Sequence, residues 1–201
     1  MQLSEAAEQI IDAGRWLDAR GWAPATAGNY SVRLDSRHMA ITVSGRHKGR
    51  LAAEDVMVVD CDGRPLDARR PSAETPLHAV MYRLDPSLAA VVHTHSVLST
   101  VLGMGAERSG DLRLAGYEML KALPGISTHD TSISVPIFDN TQDMLLLARS
   151  VEERWNKACP GYLIRGHGLY TWGATMAEAL RSVEAFEFLF ACEIEKRKLG
   201  S

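Results

Sequence analysis

The chain has 201 residues, of which 46% are hydrophobic and 23% charged, with 22 Lys and Arg against 25 Asp and Glu for a formal net charge of −3. That is a globular composition, which excludes a disordered or fibrous chain. The charge balance leaves no basic field to neutralise nucleic-acid phosphates or anionic lipid, so neither nucleic acid nor membrane is expected as a partner.

Residues 3–20 repeat apolar side chains at helical intervals (Leu3, Ala6, Ala7, Ile10, Ile11, Leu17), with Ser4 as the expected cap and Gly21 as the stop. Short runs of strand character follow at 29–34, 38–43 and 56–60, separated by turn residues such as Asp35-Ser36 and Asp62-Gly63, and predict an antiparallel meander. Residues 74–84 return to a helical pattern. The apolar run 88–92 is then a buried strand that leads directly into His93-Thr94-His95. Residues 96–104, 116–123 and 141–158 are expected as helices, and 131–137 and 161–172 as strands. The last element, 175–198, opens on a Thr175-x-x-Glu178 capping signature. Interleaved helices and strands predict a layered α/β fold, and with no repeat or linker in the chain a single domain over 1–201 is expected.

Cys61, Cys159 and Cys192 stand far apart and form no C-x-x-C pair, which argues against a disulfide framework or a thiolate zinc site and fits a reducing compartment. Acidic residues occupy the N-terminus where a signal peptide has a basic region, and no apolar run reaches membrane-spanning length; the expected location is cytoplasmic.

Successive side chains on a strand point to opposite faces, so His93 and His95 project to one side and can converge on an ion. Two histidines at a strand end are also ordinary polar surface; a third ligand decides. His167 supplies it, in Arg165-Gly166-His167-Gly168, where flanking glycines allow close backbone approach. Three neutral imidazoles leave an open position, the catalytic arrangement for zinc. The other histidines, His38, His47, His78 and His129, are taken as surface or helix-face residues, His129 having the best claim among them to line a pocket.

Two segments have the character of anion sites. Thr26-Ala27-Gly28-Asn29-Tyr30-Ser31 and Thr42-Val43-Ser44-Gly45-Arg46-His47-Lys48-Gly49 offer hydroxyl, amide and backbone N–H donors, with Lys48 or Arg46 as countercharge. Each alone reads as a polar turn; both together beside a metal triad point to a phosphorylated substrate. Glu74 and Glu118 are the candidate acids or bases. As plain structure, Glu74 would be a first-turn carboxylate and Glu118 a solvated residue paired with Lys121 at i, i+3.

The succession Thr26-x-Gly28-Asn29-x-Ser31, Ser44-Gly45-x-x-Lys48, Pro71-Ser72-x-Glu74, His93-x-His95 and Gly166-His167-Gly168 resembles the class II aldolase/adducin family across nearly the whole chain. The resemblance implies a three-layer α/β/α sandwich with a central, mainly antiparallel sheet. It implies Zn2+ on His93, His95 and His167, and a homotetramer with active sites near subunit contacts. Glu118-Met119-Leu120-Lys121 is similar to the motif whose glutamate is the acid/base of the family's dehydratases, whereas Glu74 stands where its aldolases keep theirs. The expected activity is a zinc-dependent hydro-lyase for a small phosphorylated ketose, with Glu118 and Glu74 catalytic and Asn29, Ser31, Ser44, Gly45 and Lys48 on substrate or phosphate. A sugar-phosphate aldolase or epimerase and a non-catalytic module like the adducin head are the competing readings.

Overall fold

Period-two alternation along the short strands sorts their side chains onto two faces, and the helices cover both. The computed structural model describes residues 1–105 and 110–200. Its main sheet joins β1 (Asn29–Arg33), β2 (His38–Thr42), β3 (Val56–Asp60), β4 (Ala90–Thr94), β7 (Ile137–Phe138), β8 (Gly161–Ile164) and β9 (Gly168–Gly173) in the order β3-β2-β1-β4-β9-β8-β7. Every pairing is antiparallel except β7 with β8. A second, two-stranded sheet pairs β5 (Leu112–Ala115) with β6 (Ser132–Val135).

On one face Met39, Ile41, Met57, Val91, Tyr162, Tyr170 and Trp172 pack against Leu77, Val80 and Met81 of α2 (Thr75–Leu84) and Leu147 and Val151 of α4 (Met144–Glu153). On the other, Tyr30, Val32, Ala40, Ala90 and Val92 meet Ala6, Ile10 and Leu17 of α1 (Leu3–Asp18) and Ala179 and Val183 of α5 (Met176–Lys198). The far half of α5 (Phe186, Leu189, Phe190) and Leu102 of α3 (Val97–Gly105) form a third cluster with Leu112, Leu114, Ile133 and Val135 of the small sheet. Each fully buried side chain of this size contributes about 1.5–3 kcal/mol, so the two covered faces supply the main driving force for the layers.

Several elements differ from the expectation. The first helix is capped by Gln2, whose N–H is met by Glu5 at 3.1 Å, and not by Ser4. The segment 131–137 is two strands in two sheets: Pro136 has no N–H for a ladder, and the chain changes sheets there. The expected strand 161–172 is a hairpin that folds back at Arg165–His167, with Gly166 at φ +62°. Residues 116–123 form only a 3-10 turn at Glu118–Ala122, and 141–158 shrinks to α4. The cap of α5 is as expected, Thr175 accepting the Glu178 N–H at 3.1 Å and Glu178 accepting that of Ala174 at 2.9 Å. No helix among the described residues is long and apolar enough to cross a membrane.

A candidate metal centre

Strand register brings the site together. β1 sets Asn29 opposite His93, and β4 sets His93 opposite Tyr170 of β9. His95 lies just beyond β4, its backbone N–H held by the Trp22 carbonyl at 2.8 Å. The β8–β9 turn carries His167, whose N–H donates to Ile164 at 3.0 Å. Gly168 is required here: a Cβ would stand 2.0 Å from the Thr94 carbonyl oxygen and 3.1 Å from Cε1 of His93. The strand end and the turn can approach closely enough for the rings to meet only without that atom.

The three rings converge. Their centroids lie 4.6 Å apart for His93 and His95, 4.9 Å for His93 and His167, and 4.5 Å for His95 and His167. One ligand atom from each falls within 4.8 Å of the others. His93 Nδ1 donates to the Leu169 carbonyl at 3.0 Å, which fixes the tautomer and leaves the Nε2 lone pair free to face inward. His93 Nε2 and His167 Nε2 are 3.4 Å apart. A tetrahedral zinc with Zn–N bonds of about 2.0–2.1 Å places its nitrogens about 3.3 Å apart, so this pair fits the ion. Burial, reinforced by His167, holds His93 well below the ordinary imidazole range. Burial, with His93 and His167, pushes His95 down to about 3. Both stay neutral, the form that ligates a metal.

Glu74, at the start of α2, reaches into the same space, its Oε1 3.1 Å from His167 Nε2 and its Oε2 3.3 Å from His93 Nε2. Asn29 Nδ2 and the Tyr170 hydroxyl donate to Oε2 at 2.6 and 3.0 Å, and the Tyr170 ring stacks on His93 with centroids 4.1 Å apart. A cavity of about 370 Å³ opens above, walled by Thr26–Asn29, Thr42–Gly45, Lys48, Ser72–Glu74, His95, His167, Gln142 and Met144.

The structure therefore gathers His93, His95, His167, Glu74, Asn29, Ser44, Gly45 and Lys48 around one space. Lys48 Nζ is buried and bonded to the Thr26 and Arg46 carbonyls at 2.8 and 2.6 Å, tying together the two loops that wall the cavity. Burial pushes its ammonium down to about 8, with Asp55 and Glu74 pulling the other way.

Two of the expected site residues are not brought there. Ser31 lies fully buried, its hydroxyl spent on His78 Nδ1 at 2.7 Å and Tyr82 at 2.9 Å, and it does not line the cavity. Glu118 is 70% exposed, paired with Lys121 at 2.6 Å and His129 at 3.3 Å, and lies outside the cavity lining of its own chain. His129 is thus on the surface as well. His78 is no surface residue: it is completely buried and donates to Asn29 Oδ1. His78, Tyr170, Gln142 and Met144 are the site residues that sequence reasoning missed.

The family described as Class II Aldolase and Adducin N-terminal domain matches residues 8–194. A methylthioribulose-1-phosphate dehydratase of Marinobacter nauticus is 55% identical over 197 residues, covering 96% of this chain and 95% of that protein. One of Hahella chejuensis is 53% identical, covering 100% and 98%. Among solved structures, an L-fuculose 1-phosphate aldolase superposes with a TM-score of 0.79 at 23% identity, covering 98% of this chain and 89% of the other. The L-fuculose-1-phosphate aldolase of Thermus thermophilus superposes at 0.77 with 25% identity, covering both chains fully. The fold is the three-layer α/β/α arrangement around a mostly antiparallel sheet.

Proposed function

We propose, on the premise that the chain belongs to the class II aldolase and adducin family, that it is a hydro-lyase of methionine salvage. It converts 5-methylthioribulose 1-phosphate to 2,3-diketo-5-methylthiopentyl 1-phosphate and water. The observation that carries the reading is the convergence of His93, His95, His167 and Glu74 on the floor of a cavity walled by two anion-type loops. The names of relatives 53–55% identical over nearly the whole chain point the same way.

The three histidines would hold a zinc ion, which when bound supplies Lewis-acid polarisation of the ketose carbonyl. The rest falls to the chain. Backbone N–H groups of the Thr26–Asn29 and Ser44–Gly45 loops and the remaining N–H of Lys48 take the phosphate. A carboxylate removes the C3 proton, and a carboxylic acid protonates the departing C4 hydroxyl; the enol formed then tautomerises to the diketone. Glu74 lies at the floor, held by Asn29 and Tyr170, and serves as substrate ligand or second carboxylate.

Glu118 is assigned the principal acid/base role, acting in the cavity of a neighbouring copy within a homotetramer. Its exposure and its place outside its own chain's cavity support that assignment. So does α3, which follows ligand His95 and leaves Val97, Val101 and Met104 exposed at helical spacing, an apolar face suited to a subunit contact. The location proposed is the cytoplasm.

The test is incubation of metal-replete protein with 5-methylthioribulose 1-phosphate. The diketone phosphate is the expected product. Cleavage to two shorter fragments would establish an aldolase, an inverted but intact ketose an epimerase, and no turnover with no bound metal an adducin-like module. Retention of all three histidines and both carboxylates argues against the last of these.

A further inference from the structure

The ligand rings are not all held alike. His93 is gripped on its far side, by the Leu169 carbonyl at Nδ1 and by the Tyr170 ring stacked on it. His167 has no such grip: its buried Nδ1 meets no hydrogen-bond partner among the described residues. It also stands on a turn between Gly166 and Gly168, where the backbone has the widest conformational freedom. A ligand usually owes its orientation to a bond at its second ring nitrogen. Without one, the place of His167 Nε2 is set by where the backbone of the turn is held.

That backbone is held against α3. The Thr100 hydroxyl lies 3.2 Å from the His167 carbonyl and donates to it. Three residues further along the same helix face, the Gly103 carbonyl accepts from Arg165 Nη1 at 2.9 Å. It is one of the last-turn carbonyls that a helix leaves without a partner of its own. Arg165 Nε pairs with Asp139 Oδ1 at 2.8 Å, and the Arg165 backbone N–H donates to the Phe138 carbonyl at 2.8 Å. A planar guanidinium with donors in fixed directions, joined to two acceptors, pins the chain two residues before His167. At its other end α3 is rooted beside a second ligand: Ser96 follows His95, and its Oγ accepts the Ser99 N–H at 3.0 Å. The helix thus spans from one ligand to the turn that carries another. We infer that Arg165 is a positioning residue for the metal ligand His167, an inference that rests on the metal-centre reading above. By locking the turn to α3 and to Asp139 it places His167 Nε2 at the site before an ion arrives. Acting only as a C-terminal cap of α3, it would contribute to stability and nothing more.

The experiment measures zinc affinity of the metal-freed protein by competition with a chelator, for Arg165 variants with and without His167. Arg165→Met keeps the aliphatic stem and removes both side-chain contacts. It should weaken zinc binding by roughly 10–100-fold, the range for groups that orient a ligand. In the His167→Ala protein, whose remaining ligands bind more weakly, the same substitution should cost nothing further, because the ligand that Arg165 places is gone. Arg165→Lys keeps the charge but cannot span Gly103 and Asp139 with a rigid fork. It should fold as the wild type does and bind zinc about threefold to tenfold more weakly, again only where His167 is present. Unchanged affinity in both Arg165 variants, or an equal loss with and without His167, would overturn the positioning role and leave the metal centre standing. No zinc affinity in the wild type, or a His167→Ala protein that binds as tightly as the wild type, would overturn the metal-centre reading and this inference with it.

Discussion

Asn29 Nδ2 lies 2.6 Å from Glu74 Oε2, and this contact ends a relay of four hydrogen bonds that begins on α2. With the amide nitrogen turned to the carboxylate, Asn29 Oδ1 faces His78 Nε2, which must donate to it. His78 Nδ1 is then bare and accepts the Ser31 hydroxyl, which in turn accepts from Tyr82. Burial pushes His78 down to about 4, so it is the neutral ring that this order needs. Conformationally locked neighbours therefore aim the only carboxylate on the cavity floor among the described residues.

Asn29→Ala breaks that relay at its last member and leaves His78 with a buried, unmet donor. The expected cost to stability is about 1–3 kcal/mol, read from denaturant unfolding. In kinetics, kcat should fall at least about tenfold with little change in KM, because what is lost is the placement of Glu74. A rise in KM alone would show instead that Asn29 serves chiefly as a phosphate ligand.

Gly168→Ala tests the closeness of approach on which the centre depends. The added methyl would overlap the Thr94 carbonyl, a backbone atom that cannot move without shifting β4. The β8–β9 turn must then withdraw, carrying His167 away from His93. Metal content by elemental analysis should fall from about one divalent ion per chain to well below half, as in His93→Ala, His95→Ala or His167→Ala. Full occupancy in Gly168→Ala would mean that the turn tolerates the displacement.

Glu118→Gln should lower kcat by roughly 10²–10⁴-fold with metal content intact, since the amide keeps the shape but not the proton transfer. Because Glu118 stands away from its own cavity, a sharper outcome is available. Unfolding and refolding a mixture of Glu118→Gln and His95→Ala chains, each inactive alone, should restore activity, as a mixed assembly contains some sites with an intact metal centre and an intact Glu118 from the neighbouring copy. No recovery beyond that of the separate variants would place Glu118 in its own chain's site or remove it from catalysis.

The legible part of the site was that which local geometry determines. His93 and His95 follow from strand alternation, and His167 from glycines that only a close approach explains. Tyr170 was not legible because its place against His93 depends on the register of β9 on β4, a contact between residues 77 apart in the chain. His78 sits on a helix face where sequence gives a histidine no sign of burial; its partners Asn29 and Ser31 come from β1, brought there by sheet pairing. Ser31 shows the opposite error, a residue with the right chemistry for phosphate turned into the relay by its parity on the strand. In the fold, the small strand β5 was missed although Leu112 and Leu114 alternate buried with exposed Arg113 and Ala115, because four residues offer too short a pattern to stand against the surrounding loop.

Glu187 lies on the face of α5 that packs into the protein. It is 3% exposed, and among the described residues neither carboxyl oxygen has a hydrogen-bond partner at ordinary distance. An unpaired carboxylate is costly to bury, so burial pushes the group up to about 7 against a smaller downward pull from the Ser96 hydroxyl. In the unfolded chain it returns to its ordinary value of 4.5. Below that pH the group is protonated in both states, and its contribution to stability is complete. As pH rises, the unfolded chain releases its proton first while the folded protein still holds it, so the unfolded state binds fewer protons and stability falls with pH. The loss ends once the folded group ionises near 7, having reached on the order of 3 kcal/mol. Glu187→Gln keeps the neutral shape and removes the titration. Its thermal midpoint should equal the wild type's near pH 4.5 and exceed it by several degrees at about pH 7.5. Parallel pH profiles for the two proteins would show that Glu187 is ionised and stabilised in the fold, contrary to the argument from its burial.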